Sequence, residues 1–526
     1  MKENITKNYN IIGLIKKILY GVMVISVILE MIFFPSYGNL AGCLMMIISC
    51  CLFNRFFLKR YLIVNAPFSF FMFCSMFLFR YLPLPATLLE GKPVSYGMVY
   101  PIKTFFLETV MFVISCLAFY MATKNLKHNN IVQKVLNVFG FYKQENEKTY
   151  WILGLIGCIA RILSLAMGQA ETGNIVGRAL YVLFYYMYLP VILFFPCLYD
   201  INSKKKINIK KKSVWIYILF ISILNLATNS RNKLITPFCI IVLLSFLSLV
   251  LCDIRLNKIL KPSIVIKTTV IVVMCLEIFS ITSKAMLINR SIREDISFTE
   301  LIKNTISTVT NPNIDSMWNT YENKNIAFKT YTEGWTEEYV DNYLLNRFCN
   351  IRITDETLYL GSKLGNYGKE KMLEDFKNRI IAAFPQPVLK IFTKNFNKEN
   401  YYNARGDALY IYSGIGADTN WGEFRVTSNL GDGLATFGAL YFPLQFVTWY
   451  FVMLLLNTFS INSSKNKRIY SIYGLLAVYT SMLKFVNGNG MLDDILFFIR
   501  GYWQEIFLFI FIYYVARVMS LICIKR

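Results

Sequence analysis

Histidine is almost absent: His128 is the only one in 526 residues. It falls in a basic connection that the charge pattern assigns to the cytoplasmic side. On the opposite side neither a Ser/His/Asp triad, nor a histidine general base, nor an HExxH zinc site is then available. Also missing are a Walker A loop, a GxGxxG turn and a DxD pair of metal-binding carboxylates, which leaves ATP-driven chemistry and metal-dependent use of nucleotide sugars without support. Twelve cysteines occur, but none has CxxC or Cys/His spacing. Nearly all lie in apolar stretches, where a small buried side chain is the ordinary reading. No metal and no cofactor is expected. No small-residue cleavage site follows the first apolar run, Gly21 to Phe34, so a cleavable signal peptide is not expected. Internal repeats of the kind found in many transporters are absent too.

What the chain has in excess is apolar surface: 55% of residues are hydrophobic, 16% are aromatic and mean hydropathy is +0.44. A water-soluble fold cannot hide so much. Runs of about 20 apolar residues, the length that crosses a bilayer core of about 30 Å, recur along the whole chain. They predict an all-α polytopic membrane protein with about twelve spans, at 18–35, 38–54, 61–82, 103–122, 150–168, 179–199, 214–229, 234–252, 263–283, 434–459, 469–486 and 501–522. Transmembrane helices 1–9 then occupy residues 1–283, a large hydrophilic loop 284–433, and helices 10–12 residues 434–526.

Charge sets the orientation, because short connections rich in Lys and Arg stay in the cytoplasm. Every second connection is basic: the N-terminal stretch, Arg55–Arg60, 124–148, 204–212, 253–262, Ser464–Arg468 and the C-terminus. Connections 84–102, 169–178 and 487–500 are close to neutral, and Ser230–Lys233 is the one mild exception. Both termini are expected inside and the large loop outside. Of 55 basic and 32 acidic side chains, the loop holds 18 and 19, leaving 37 and 13 elsewhere. The formal net charge of +23 is therefore topogenic and directed at lipid headgroups, and nucleic acid is not an expected partner. Trp318, Trp335, Trp421, many tyrosines and helical-looking stretches at Tyr339–Phe348 and Gly368–Phe384 mark the loop as folded, and a folded loop of that length is commonly functional.

Several charges invite chemistry. Arg231 sits at the outer interface, where orientation rules disfavour a cation. Arg161 lies within a span, where ionisable groups are costly and commonly functional, with a structural pairing to Glu108 or Glu277 as the alternative. Arg178, Arg80 and Glu505 fall near outer span ends. Together with Arg405, Asp407, Glu423, Arg425 and Asp432 they are expected to build an outer-face site mixing cations with carboxylates.

Two segments resemble a known family. "NSRNK" (229–233) resembles the Ser-Arg turn that opens a central helix, and "EFRVTSNLGDGLATFGALYFP" (423–443) resembles the loop exit, of Wzy-type O-antigen polymerases, also called oligosaccharide repeat unit polymerases. Arg405 and Gly416 fit the Arg-x10-Gly spacing noted in them. The resemblance implies the polymerase-ligase membrane architecture in a bacterial cytoplasmic membrane. It also implies metal-independent glycosyl transfer between undecaprenyl-pyrophosphate-linked oligosaccharides on the outer face, with a chain-length regulator and a flippase as partners. Such chemistry needs fixed cations for a departing diphosphate, for which Arg231, Arg405 and Arg425 are candidates alongside Arg178 and Arg161. It also needs a carboxylate to take the acceptor's proton, from among Asp407, Glu423 and Asp432. An O-antigen ligase and a lipid-linked oligosaccharide flippase remain alternatives. The first typically uses an outer-loop histidine, which is missing here, and the second has no need of a folded loop.

Overall fold

The computed structural model describes residues 11–525 apart from 167–179, 181, 201–202, 204–206, 227–230, 254–276, 279, 290–297, 315, 319, 321–329, 338, 386–388, 390, 392–395, 402, 464–466 and 486–488. It is mostly helix. The long elements are α1 (Ile11–Phe33), α2 (Tyr37–Leu52), α3 (Pro67–Tyr81), α4 (Pro83–Leu89), α5 (Pro101–Thr123), α6 (Glu147–Ala166), α7 (Lys212–Leu226) and α8 (Arg231–Leu251). They continue with α9 (Ile351–Lys363), α10 (Asn366–Ala382), α11 (Arg405–Tyr412), α12 (Asn429–Phe437), α13 (Tyr441–Asn457), α14 (Met491–Leu496) and α15 (Tyr502–Lys525). Among the described residues the one sheet is an antiparallel pair of short strands, Ser460–Asn462 and Arg468–Tyr470.

Local sequence sets the helix starts. The Ser36 side chain accepts the Asn39 N–H at 3.1 Å and caps α2; α3, α4 and α5 each open on a proline, whose missing N–H costs nothing in a first turn. Six helices among the described residues are long and apolar enough to cross a bilayer: Ile11–Phe33, Tyr37–Phe57, Pro101–Thr123, Arg231–Leu251, Asn429–Asn457 and Met491–Ile522. α3 and α4, bent by 44°, make a seventh if taken as one span. Of the other expected spans, 150–168 is the unbroken α6, 20 residues long, and the rest that are described are shorter or broken. Pro190 sits inside a 3-10 stretch, Phe184–Phe194, where an α-helix would need the N–H that proline lacks. The 469–486 span divides into Ile472–Leu476 and Val478–Leu483. The 263–283 span lies largely outside the described residues.

The surface of the bundle carries many large apolar side chains. Ile32, Phe33, Ile216 and Phe511 are each more than half exposed, as suits a hydrocarbon solvent. Inside, Phe53 stacks on Phe77 at 4.1 Å and Phe73 on Phe119 at 4.6 Å between ring centroids. Because apolar contact gains little over lipid, polar clasps and small residues fix the helix positions. Asn457 of α13 accepts from the Ser69 hydroxyl of α3 at 2.5 Å and donates to the Ala122 carbonyl of α5 at 3.0 Å. Gly157 of α6 meets the backbone at Met187 so closely that no Cβ would fit.

The described connections pair with one another in two groups. In one, Arg60 pairs with Asp253 at 3.6 Å, Asn129 Nδ2 donates to the Asn462 carbonyl at 2.9 Å, and Lys211 pairs with Glu147. In the other, Lys92 pairs with Asp341 at 2.7 Å and Arg500 donates to the Ala383 carbonyl, so these connections meet the large hydrophilic segment.

That segment is fastened by α9, whose Ile351–Leu358 stretch is buried at every position. Asp355 accepts the N–H of Val99 at 2.6 Å and of Tyr100 at 3.1 Å, the Thr104 hydroxyl at 2.6 Å, and the Tyr331 hydroxyl. A carboxylate from the loop thus caps the start of α5, where the helix dipole favours negative charge. Burial, reinforced by the Asp355 charge, pushes the Tyr331 hydroxyl well above its ordinary pKa and keeps it a donor. Arg352 stands between the Tyr331 and Tyr339 rings, and Gly97, at φ +68°, leaves room for its guanidinium. The neighbouring Glu356 is fully buried, accepts the Thr336 N–H at 3.2 Å, and burial pushes its carboxyl up to about 8. Gly368–Phe384 is helical almost throughout, as α10. The helix expected at Tyr339–Phe348 reduces to the turn Tyr343–Asn346, because the Asn346 side chain accepts the Tyr339 and Val340 N–H groups and donates to the Glu337 carbonyl.

Candidate functional site

Where α9 meets the bundle, a cavity of about 460 Å³ opens between α3, α5, α8 and the segment leading into α12. Its polar lining comprises Arg80, Glu108, Asn232, Glu337, Arg347 and Asn350, joined by Thr354 and by the stretch Thr427–Asn429. Arg80 and Glu108 form the deeply buried part: Arg80 Nη2 lies 2.6 Å from Glu108 Oε2, at 1% and 4% side-chain exposure. Arg80 also donates through Nε to the Glu108 carbonyl at 2.8 Å and through Nη1 to the Met76 carbonyl at 2.6 Å. These contacts engage three of the five N–H groups of a guanidinium, and the other two have no hydrogen-bond partner among the described residues. Phe79, Phe112 and Phe485 surround the cation at 5.4–5.7 Å. Thr354 of α9 donates to Glu108 Oε1 at 3.0 Å, which ties the loop to this ion pair.

The wall opposite is made by Val426–Leu430. The Ser428 hydroxyl accepts the Gly431 N–H at 2.8 Å, capping α12, and lies 2.6 Å from the Thr357 hydroxyl of α9. Gly431 is required there, because an added Cβ would overlap the Thr357 side chain. Asn429 Nδ2 donates to the Phe485 carbonyl at 3.1 Å. The cavity's more exposed lining carries Glu337 and Arg347, one carboxylate and one cation on either side of the Tyr343–Asn346 turn.

The charges expected to converge are sorted into separate internal pairs. Arg405, fully buried, reaches Asp432 at 2.7 Å, Asp375 at 2.7 Å, the Met372 carbonyl at 3.0 Å and the Thr436 hydroxyl at 2.5 Å. Burial works against its charge, yet Asp432 and Asp375 hold its pKa above the ordinary value. Arg425 pairs with Asp407 at 3.2 Å and with Glu423, and its guanidinium lies 4.4 Å from the centre of the Tyr410 ring. Asp407 also accepts the N–H groups of Phe424 and Arg425 at 3.1 Å each. Arg405, Arg425, Asp407 and Asp432 therefore brace the wall behind Val426–Leu430, and only Glu423 among the five is largely exposed. Arg231 opens α8 beside Asn232, which lines the cavity and accepts from the Tyr479 hydroxyl at 3.0 Å. Arg161 is buried with its guanidinium 4.8 Å from the Phe184 ring; the Glu108 expected as its partner belongs to Arg80, and Glu277 is exposed. Glu505 accepts from the Tyr473 hydroxyl. Arg178 lies outside the described residues.

Glu337 and Arg347 carry no motif and stand among many loop charges, so nothing in the sequence separates them. The Arg80–Glu108 pair was closer to legible, since two ionisable residues inside apolar runs need partners. Among the described residues no group of three or more His, Cys, Asp or Glu side chains has the arrangement to hold a metal ion. The cavity thus offers cations, carboxylates and hydroxyl or amide donors at the edge of an apolar bundle, which suits an anion attached to a polyhydroxylated group. Comparison with family models, with curated proteins and with solved structures finds no match for the chain.

Proposed function

We propose that the chain polymerises undecaprenyl-pyrophosphate-linked repeat units into a surface polysaccharide, from twelve spans with both termini in the cytoplasm and residues 284–433 outside. The observation that carries this reading is that the two segments resembling repeat-unit polymerases, far apart in sequence, meet: Asn232 and Val426–Leu430 line one cavity with the Arg80–Glu108 pair, Glu337 and Arg347. The pairing of basic connections with one another, while Lys92 and Arg500 pair with the large segment, supports the orientation.

In the proposed reaction a hydroxyl oxygen of the acceptor sugar attacks the anomeric carbon of the donor. The bond from that carbon to the diphosphate oxygen breaks, and its electron pair leaves with the diphosphate. The hydroxyl proton passes to a carboxylate, for which Glu337 is the most accessible candidate in the lining. Arg347 and the two remaining N–H groups of Arg80 stabilise the diphosphate, with Arg231 beside the cavity as a further cation. Arg405 and Arg425 act as positioning residues for the Val426–Leu430 wall. Deleting the gene from its host should leave surface glycans of at most one repeat unit, restored to a ladder by the wild-type gene and not by Glu337→Gln at equal abundance. Glycans lacking even one unit would point instead to a ligase or a flippase.

A further inference from the structure

The connection between α5 and α6 contains a short helix, Ile131–Val138, that turns a polar side chain inward. Asn130 and Gln133 form a reciprocal cap at its start, each side chain accepting the other's N–H at 2.8 Å. Gln133 also donates through Nε2 to the carbonyl of Asn457, the last residue of α13, at 3.3 Å and to that of Ser460 at 2.7 Å. Leu136 is buried on the same side. Gly140, at φ +75°, ends the helix, and Phe141 and Tyr142 turn back into the protein, where the Tyr142 hydroxyl donates to the Thr458 carbonyl at 2.5 Å. The helix is pinned at both ends, so the face it presents is fixed.

That face is apolar. Ile131, Val135, Val138 and the following Phe139 stand at i, i+4, i+7 and i+8, along one side of a helix, and are 79%, 48%, 85% and 57% exposed. Single exposed apolar side chains are ordinary, but a contiguous stripe marks an interaction surface. Lys134 flanks the stripe, and Lys124 and Lys127 precede it; all three are exposed and form no ion pair among the described residues. The two carboxylates of this connection are engaged elsewhere, Glu145 with Arg517 at 3.0 Å and Glu147 with Lys211.

Height and charge together name the occupant. The connection leaves α5 at Thr123, and Gln133 holds the helix on the last residue of α13. α5 and the helical run ending at Asn457 are both long and apolar enough to cross a bilayer, so the short helix lies at the level where crossing helices end, which is the headgroup layer. A lysine-flanked apolar stripe at that level meets acyl carbons on one side and phosphates on the other. We propose that Ile131–Phe139 lies in the membrane interface and binds anionic phospholipid, with Ile131, Val135, Val138 and Phe139 among the upper acyl carbons and Lys124, Lys127 and Lys134 on the phosphates. This surface is independent of the polymerase reading.

The test places a photoreactive side chain on the stripe, Val138→p-benzoylphenylalanine, in the full-length protein in nanodiscs of phosphatidylcholine with phosphatidylglycerol as a minor component. Leu219→p-benzoylphenylalanine, on the exposed apolar side of α7, is the reference. After irradiation lipid adducts are expected at both positions, with phosphatidylglycerol enriched roughly fivefold at 138 relative to 219. Lys124→Gln/Lys127→Gln/Lys134→Gln should abolish the enrichment and Lys124→Arg/Lys127→Arg/Lys134→Arg should keep it, while an unchanged adduct yield at 219 reports that each triple variant is folded. Adducts at 138 in bulk lipid proportion, or no lipid adduct there, overturn the proposal, and enrichment that survives the glutamine variant refutes the role of the lysines. A protein adduct at 138 in host membranes overturns it as well, and would make the stripe a docking face for a soluble partner.

Discussion

Asp355→Ala takes the carboxylate away from four donors, the N–H groups of Val99 and Tyr100 and the hydroxyls of Thr104 and Tyr331, of which the Val99 N–H keeps a second acceptor, the Tyr331 hydroxyl at 2.6 Å. A hydrogen bond to a charged group contributes about 1.5–3 kcal/mol, and a buried donor left unsatisfied costs about 1–3 kcal/mol. Four in full would approach 10 kcal/mol. Val99 is 39% exposed, so donors freed on that side can turn to water, and about 3–5 kcal/mol of docking free energy is the expected loss. At about 1.4 kcal/mol per decade that weakens the seating of α9 on α5 by about 10²- to 10³-fold. Hydrogen exchange in nanodiscs reads it directly: amides of 351–363 and 99–104 should exchange faster by that factor, while those of α13 and α15 hold. Asp355→Asn keeps the size and one acceptor oxygen and should lose about half as much. Wild-type protection of 351–363 in the alanine variant would refute the fastening of the loop by this carboxylate.

Arg405→Lys keeps the charge but loses the planar fork that joins Asp375 to Asp432; a thermal melt in detergent should show destabilisation equivalent to about 3–5 kcal/mol, and an unchanged melting temperature would contradict the bracing role. Glu356 is pushed from 4.5 up to about 8 by burial, so the folded state holds its proton more tightly than the unfolded chain. Its contribution to stability is fully present below about 4.5 and is lost as pH rises through about 8. Glu356→Gln should flatten the fall in melting temperature across that window, and a slope as steep as wild type would sink the assignment. For orientation, Lys369→Cys should react with a membrane-impermeant maleimide on intact cells and Lys134→Cys only after permeabilisation; the reverse pattern would turn the large segment inward and end the proposed function.

Where lipid is the solvent, composition alone reveals an element, and α1, α2, α5, α8, α13 and α15 stand out as apolar runs because all sides of such helices tolerate only apolar residues. α9 shows the opposite. Its centre, Thr354-Asp355-Glu356-Thr357, reads as a solvated stretch, yet all four are buried. Their partners, Val99, Tyr100, Glu108 and Ser428, come from elsewhere in the chain, and no local pattern announces them. The same holds for the site. Arg405 and Arg425 are visible as charges in a suggestive segment, but a sequence does not say that Asp375, Asp432 and Asp407 already claim them. Proximity of the 229–233 and 423–443 segments was legible only through their shared resemblance, and the fold brings Asn232 and Val426–Leu430 to the same cavity.

The cap on α5 has a temporal consequence. Asp355 follows Val99 by 256 residues, and at about 5–20 residues per second the ribosome needs roughly 10–50 s to make that interval. Throughout it α5 sits in the bilayer with the N–H groups of Val99 and Tyr100 facing water rather than a carboxylate. The N-terminal helices are thus inserted as an unfinished receptacle, and emergence of α9 is the event that closes it. Chain termination between the two leaves a membrane-embedded half with an open seam, a natural target for quality-control proteolysis.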